Sequence, residues 1–501
     1  MSSPPSTRHW ATLSVPEPAV ASDWAARQQA FVERLGHRAV SDLESGTIVV
    51  VPSITFPVVE LDKIVAARYY EERTLFLALL LSRPALRMVF VTSMPIDAAI
   101  VDYYLRFVPA PGGARDRLHL VALDDPATLP LSDKLLSRPD VISQVRSLAG
   151  DPDDACVVTF NVTPVEWELS RALGLPLYGP APELARLGSK SGARQVARGA
   201  GVAVLEGAEH LFSLSAVEDA VRVIQARRPG AEAVVIKLNN GFSGQGSAMV
   251  DLGGQTVPIT SAPTTFCAPG ESWATYSATL AAEGAIVEEL VRVPGTVSPS
   301  VQLHVSPAGS FEIVSTHDQV LGGPGNQVYV GCRFPADQSY RVAIQAEAAK
   351  VGAVLAAEGV IGSFGIDFLV VPNAEGGLSR IYLSEINLRM GGTTHPFWMT
   401  RLATGGDYDV ASGSLVAGGT AKAYVATDNF KSPSLVGRSP ASVIASIDEA
   451  GLGFDTETAT GTTLHLLGSV PGYGKLGATC IADTPAEAEA LYRRVIAVVA
   501  S

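Results

Sequence analysis

The segment Ser384-Glu385-Ile386-Asn387-Leu388-Arg389 alternates polar and apolar side chains, and on a strand that alternation puts Glu385, Asn387 and Arg389 on one face. Ser363-Phe364-Gly365-Ile366-Asp367-Phe368-Leu369-Val370-Val371 reads as a second strand, and the turn-rich stretch 372–379 between them predicts a hairpin. With the turn centred near Gly376, Val371 pairs with Ile381 and Asp367 falls opposite Glu385. Two carboxylates about 5 Å apart repel by roughly 3 kcal/mol at an intermediate dielectric, so the pair calls for a cation. Hard oxygen ligands without thiolates or paired histidines suit magnesium, with Asp367, Glu385 and Asn387 as its ligands. Arg389 would then face a phosphate and the charge developing on it. Standing alone, the same hairpin would read better as a polar stripe turned to solvent.

A second group of residues can handle phosphate. Val234-Val235-Ile236-Lys237 is a β-branched strand ending in a lysine, followed by Asn239-Asn240-Gly241-Phe242-Ser243-Gly244-Gln245-Gly246. Gly241, Gly244 and Gly246 would let backbone N–H groups approach phosphate oxygens, with Ser243 among them and Lys237 as a point charge. The spacing is not that of a Walker A loop or a dinucleotide fingerprint, and a glycine hairpin without chemistry reads alike. Ala285 to Val291 is a strand bearing Glu288, Glu289 and Leu290, either a hinge whose backbone pairs with an adenine edge or an ordinary strand end.

The elements that must position these groups imply an α/β and α+β protein. Thr47–Val51, Met88–Val91, Leu118–Val121 and Cys156–Thr159 are short apolar runs separated by helical patterns, predicting a parallel sheet in an α/β domain over 46–185. The loops after them, Thr92-Ser93 and Asn161-Val162-Thr163, are weaker site candidates than connecting turns. Residues 1–45 read as an N-terminal arm, 186–400 as a core holding every strong chemical signal, and 401–501 as a small α+β unit. In that last unit Thr484-Pro485-Ala486-Glu487 forms a capping box. The apolar run Leu75–Leu81, bounded by Glu71, Glu72, Arg73 and Arg83, is too short to span a membrane and predicts a buried helix.

A chain of 501 residues with a net charge of −13 is a poor partner for nucleic acid or an anionic membrane. Its four cysteines, Cys156, Cys267, Cys332 and Cys480, show no metal or disulfide spacing, and no secretory signal is evident, which favours the cytoplasm.

Taken in this order, the pieces resemble the ATP-grasp superfamily, in which two α+β lobes hold ATP between them, over about 186–400. Lys190, after Ser189 and ahead of Gly201-Val202, is similar to that family's first nucleotide lysine. Lys237 and the loop through Gly246 resemble the second lysine and phosphate-covering loop of biotin carboxylase. Glu288 to Val291 resembles the adenine hinge, Asp367, Glu385 and Asn387 the magnesium ligands, and Arg389 an arginine of the biotin carboxylase branch. Met390-Gly391-Gly392-Thr393-Thr394-His395 is similar in placement to the glycine loop of D-alanine:D-alanine ligases, with Gly391 offering its N–H to an oxyanion. Gly295 to Pro299 lacks the carboxylate expected to hold the ribose, and that contact is unassigned. The N-terminal domain, the segments 319–324 and 329–335, and Gly474-Lys475-Leu476-Gly477 extend the resemblance to the pheganomycin-type peptide ligases.

The resemblance implies ATP with magnesium, or manganese, as cofactors. It implies an ADP-forming ligase that joins a carboxylate, from an amino acid or derivative, to the amine of an amino acid or peptide through an acyl phosphate. Its partners would be these small molecules, with a homodimer left open. Arg333 and His317 are candidates for substrate contact, against a structural arginine and a satisfied loop histidine. No residue stands out as base for the amine. The same ATP site also admits carboxylation of a biotin-like acceptor, plain phosphorylation, or non-catalytic nucleotide binding.

Overall fold

Three of the four apolar runs are almost wholly buried on both faces, while Leu118–Val121, at the sheet edge, exposes Leu120. β1 (Ser45–Val51), β2 (Ala85–Thr92), β3 (Leu118–Ala122), β4 (Ala155–Thr159) and β5 (Leu177–Tyr178) form a sheet in the order β3-β2-β1-β4-β5, parallel throughout. In this computed structural model residues 18–108, 113–241, 246–253, 258–268, 270–323, 328–373 and 379–500 are described. The stretch expected to be an arm is instead part of the first core. The helix Pro18–Leu35 buries Trp24, Phe31 and Leu35, and Trp24 Nε1 donates to Ser170 Oγ and Leu175 O, each at 2.9 Å. The loops beyond β2 and β4 hold the fold together. Ser93 donates to Glu71, and Asn161 Oδ1 accepts from Thr55 N–H at 2.9 Å.

A second, antiparallel sheet contains β6 (Gly207–Leu211), β7 (Ala233–Leu238), β8 (Ser247–Asp251), β9 (Thr264–Phe266) and β10 (Ala285–Glu289), in the order β6-β10-β7-β8-β9. The third contains β11 (Pro299–Val305), β12 (Phe311–Gly322), β13 (Val328–Phe334), β14 (Gly362–Val371) and β15 (Arg380–Asn387). It continues through β16 (Asp407–Asp409), β17 (Ser414–Ala417), β18 (Thr420–Lys431), β19 (Gly461–His465) and β20 (Lys475–Ala482). β13 pairs with β18 from Gly331↔Thr427 to Phe334↔Tyr424, so the segment expected to stand apart beyond residue 400 shares a sheet with the strands that carry Asp367 and Glu385. Half of the expected capping box forms at the start of the helix Pro485–Ala500: Glu487 N–H donates to Thr484 Oγ1 at 3.3 Å, while Glu487 Oε2 accepts from the Thr484 hydroxyl at 2.9 Å instead of from the Thr484 backbone. Among the described residues no helix is long and apolar enough to cross a membrane.

The buried helix around Leu75–Leu81 is a 3₁₀ helix, Ala67–Ser82, and its burial begins earlier than expected. Glu71, Glu72 and Arg73, read from sequence as a polar border, are all buried. A 3₁₀ helix turns about 120° per residue, so three consecutive side chains point in three directions. Glu71 accepts from Ser93 N–H (2.7 Å) and Oγ–H (2.6 Å) in the N-terminal domain, and Glu72 accepts from Gly468 N–H at 3.0 Å near the other end of the chain. Arg73 pairs with Asp428 at 2.9 Å. Gly468 has to be glycine, since a Cβ there would stand 2.1 Å from Glu72 Oε1.

Glu72→Ala leaves that buried N–H without an acceptor and should cost about 1–3 kcal/mol in urea unfolding, whereas Glu72→Gln keeps an acceptor. Burial raises Glu72 from 4.5 to about 8. The folded protein thus holds this proton more tightly than the unfolded chain, and the resulting stability is lost as pH rises through about 8. Between about pH 5 and pH 9 stability should fall more steeply in the wild type than in Glu72→Gln; equal slopes would contradict this origin.

Candidate functional site

Asp367 and Glu385 stand directly opposite each other on β14 and β15, as the hairpin reading requires, but by a different register. The turn of the hairpin, including Gly376, lies outside the described residues. At its base Val371 pairs with Arg380 and Val370 with Ile381, one residue away from the expected pairing. The shift is recovered by a β-bulge between Asp367 and Phe368, opposite which Ser384 is the extra residue. The bulge brings Ser384 and Glu385 together into the lining of one cleft of about 380 Å³. Asp367 Oδ1 accepts from Gln319 Nε2 at 2.7 Å and Oδ2 from Asn387 Nδ2 at 3.0 Å, while Asn387 Oδ1 accepts from Arg389 at 3.1 Å. Burial and the facing Glu385 raise Asp367 to about 7. Burial acts the same way on Glu385, but Lys190 and Lys237 outweigh it and hold that carboxyl below the usual glutamate range. Buried and facing each other, the two carboxylates offer oxygen donors that fit a hard divalent cation.

Both predicted lysines reach this pair from other elements. Lys190 is the first residue of the helix Lys190–Gly199, capped by Ser189 Oγ accepting from Gly192 N–H, and its Nζ lies 2.7 Å from Glu385 Oε2. Asn239, just beyond β7, sets that helix in place. Its carbonyl accepts from Lys190 N–H at 3.1 Å and its Oδ1 from Ser191 Oγ–H at 2.7 Å. Lys237 Nζ is 3.2 Å from Glu288 Oε2 and 3.4 Å from Ser384 Oγ. Burial disfavours its charge, but Glu288 and Glu385 raise its pKa above the ordinary lysine value, so it stays an ammonium. Arg389 also lines the cleft, its guanidinium 5.5 Å from the Phe56 ring centroid and 6.0 Å from that of Phe160. Gly241 lines it too, and Gly246 takes the positive φ (+78°) that favours glycine, while Ser243 and Gly244 lie outside the described residues.

Four expected roles need correction. Glu288 does not sit on an open hinge: it is 1 % exposed and ion-paired with Arg194 and Lys237. The N–H groups of Glu289 and Leu290 are donated to Glu206 O (2.9 Å) and Ala233 O (3.0 Å), so neither is free for an adenine edge. Arg333 is exposed and pairs with Glu489 at 3.2 Å, away from the cleft. His317 is fully buried beside Phe334 and Phe397 with Nε2 2.7 Å from Tyr424 Oη, a core position. Gly391 does line the cleft, but its N–H is donated to Thr394 Oγ1 at 2.8 Å. The Gly392 N–H has no hydrogen-bond partner among the described residues, and a Cβ on Gly392 would come within 2.4 Å of the Tyr329 ring.

The far end of the cleft was not foreseen. Tyr70, Arg73, Tyr329, Asp428 and Lys475 line it, drawn from both ends of the chain. Two local signs touched on it: the run of three charges at 71–73 beside an apolar segment, and the segment Gly474-Lys475-Leu476-Gly477. Asp428 Oδ2 meets Arg73, while Oδ1 faces Nε2 of His465 (2.8 Å) and of His395 (3.1 Å). Burial opposes the Asp428 charge, but His395, His465 and Arg73 together hold it well below the usual carboxylate range. These three ligand atoms could surround a metal, but Arg73 already neutralises the carboxylate, and hydrogen bonding accounts for the cluster.

A family model described as IQCH-like, ATP-grasp matches residues 264–411, and one described as PGM1 C-terminal domain matches 442–495. The chain is 31% identical over 445 residues to L-propargylglycine–L-glutamate ligase of Streptantibioticus cattleyicolor, covering 86% of this chain and 90% of that one. In fold it is similar to biotin carboxylase of Campylobacter jejuni in its β-γ-ATP complex, with a TM-score of 0.55, 14% identity and 90% of each chain covered. It is likewise similar to the biotin carboxylase domain of Hydrogenobacter thermophilus 2-oxoglutarate carboxylase, solved with MgADP and bicarbonate. There the TM-score is 0.56 at 13% identity, covering 90% of this chain and 89% of that one. The two structural likenesses speak for the fold alone.

In cation-free protein Asp367 should titrate near 7, and Glu385→Gln should bring it down by removing one of the two causes. Carbon NMR of the Asp367 carboxyl reads this directly. A titration that Glu385→Gln leaves unmoved would mean the two groups do not face each other.

Proposed function

The chain belongs to the ATP-grasp ligase family that includes L-propargylglycine–L-glutamate ligase, ATP-dependent and ADP-forming carboxylate–amine ligases, and from that premise we propose how its cleft does the work and on what. The substrates are an amino acid or derivative that supplies the carboxylate and an amino acid or short peptide that supplies the amine, in the biosynthesis of a secondary metabolite. The observation that carries this is the facing pair Asp367 and Glu385 with Lys190, Lys237 and Arg389 gathered at one cleft.

In the first step a carboxylate oxygen attacks the γ-phosphorus of ATP, the bond to ADP breaks, and an acyl phosphate forms. This step needs positioning and neutralisation of charge more than covalent help. Lys190 and Lys237 supply two ammonium groups to the phosphates, and Arg389, fixed between Phe56 and Phe160, supplies a guanidinium to the transferring group. Magnesium, or manganese, held by Asp367, Glu385 and Asn387, would neutralise phosphate charge when bound. In the second step the amine attacks the acyl carbon, phosphate leaves, and an amide results. The negative charge that develops on the carbonyl oxygen requires a donor, and Gly392 N–H is better placed to give it than Gly391 N–H, which Thr394 already accepts. The four cysteines are free and buried, which accords with a reducing cytoplasm.

The test is release of ADP that depends on both substrates, screened over amino acids and short peptides with mass spectrometry of products. Hydroxylamine should trap the acyl phosphate as a hydroxamate; a stable phosphorylated product in its place would point to a kinase. Glu385→Gln should lower turnover by at least about a hundredfold, and full activity would remove the cation from these ligands. Lys237→Ala should weaken ATP binding by about ten- to a hundredfold, the usual worth of a charge-assisted contact; unchanged affinity would count against the phosphate clamp.

A further inference from the structure

Two cations, Lys475 and Arg73, are buried together at the far end of the cleft, and only Arg73 has a carboxylate partner among the described residues. Lys475 is 2 % exposed, its Nζ donates to Tyr70 Oη and sits 4.6 Å from the Tyr70 ring centroid, and it forms no ion pair among the described residues. Burial pulls its pKa down to about 8. Arg73 is 8 % exposed and meets Asp428 through one terminal nitrogen, while its Nε is buried with no hydrogen-bond partner. Its guanidinium carbon lies 4.4 Å from the Tyr70 ring centroid and 5.3 Å from that of Phe160, so both cations share Tyr70 and are held rigid by aromatic faces. Asp428 is the carboxylate between them, and its second oxygen is already engaged by His465 and His395. A buried ammonium left unpaired beside a half-paired guanidinium is a costly arrangement unless an anion enters from the cleft.

We propose that Lys475 and Arg73 bind a carboxylate that does not react, carried by the amine substrate. The inference rests on the ligase reading above and names the class of its acceptor: an amine bearing a free carboxylate, such as an amino acid or a peptide with its C-terminus unblocked. The placement suits that role. Arg73 and Arg389 both lie against Phe160, at 5.3 and 6.0 Å from its centroid, which keeps the two guanidinium carbons within about 11 Å of one another. An acceptor anchored at Arg73 and Lys475 therefore stands no further from Arg389 than about three residues of extended chain. Tyr329, against which Gly392 packs, lines the same end of the cleft, so the anchored molecule approaches from the side of the free Gly392 N–H. A phosphate anion is served by Lys190 and Lys237 at the other end. A third cation is disfavoured by the two already there.

L-Alanine, L-leucine and L-glutamate, each beside its α-amide, are titrated calorimetrically into the full-length protein saturated with ADP and magnesium. At least one acid should bind ten times or more tighter than its amide. Lys475→Met keeps the side-chain stem but not the charge and should abolish that preference while leaving the amide's affinity unchanged; Lys475→Arg should restore it. Thermal melting shows that the variants fold, and Lys475→Met should melt higher than the wild type because an unpaired buried charge is gone. The proposal is overturned if no acid binds, if amides bind as well as acids, or if Lys475→Met keeps the preference. If the preference is found but belongs to the partner whose carbonyl enters the product, the assignment to the amine is overturned. If the preference is found with no ADP released by any pair, the anion site stands and the ligase reading fails.

Discussion

The repulsion between Asp367 and Glu385 sets the terms for everything around it. Two carboxylates held opposite each other across β14 and β15 cannot both ionise unless cations surround them, and the fold brings those cations from elements far apart in sequence. Lys190 arrives on a helix start that Asn239 fixes, Lys237 from the end of β7, and Arg389 from just beyond β15. The neighbouring strand β11 supplies Ser300 opposite Asp367 and Gln302 opposite Gly365, where a Cβ would come within 2.8 Å of Gln302 Nε2. The cleft floor is thus close-packed polar material with little room to relax, which keeps the two carboxylates facing.

A second layer of charge holds the cations in their turn. Glu288 pairs with Lys237 on one side and with Arg194 on the other, and Arg194 also reaches Glu209 at 3.2 Å and Leu205 O at 3.1 Å. Glu288 and Arg194 are each 1 % exposed, so removing either one would leave the other buried with a single ionic partner, Lys237 for Glu288 and Glu209 for Arg194. This is why Glu288 cannot serve as an open hinge residue. It is the anchor that orients Lys237, whose ammonium is held between Glu288 and Ser384.

Strand alternation and lysine spacing made the reacting end of the cleft legible because those signals are local. Asp367 and Glu385 lie on one hairpin, and Lys237 and Asn239 belong to one strand and the turn after it. Even there the register was reached by a compensation: the bulge opposite Ser384 restores the pairing of Asp367 with Glu385 and adds a hydroxyl that alternation would have pointed away. Arg333 and His317 looked available because sequence carries no burial, and tertiary contacts settle them otherwise. The far end was illegible for a stronger reason. Tyr70, Arg73, Asp428 and Lys475 form one wall only after β18 joins β13 and the 3₁₀ helix packs beneath it, and no local pattern announces contacts of that separation.

The same long-range packing explains why a lysine and an arginine can be kept there at all. Glu71 ties the 3₁₀ helix to Ser93 in the parallel domain and Glu72 ties it to Gly468 beside β20, so the residue that follows has its direction set by two buried hydrogen-bonded carboxylates. Arg73 is therefore aimed by its neighbours, and Tyr70, one turn earlier on the eclipsed i, i+3 face, stacks on it. The Tyr70 hydroxyl then receives the Lys475 ammonium from the other end of the chain. An arrangement in which the two ends of the polypeptide meet across one aromatic ring makes the wall of the substrate cleft a condition of the whole fold. Loosening the contact between the first domain and the last strands would disperse Arg73 and Lys475 while leaving Asp367, Glu385, Lys190 and Lys237 where they are.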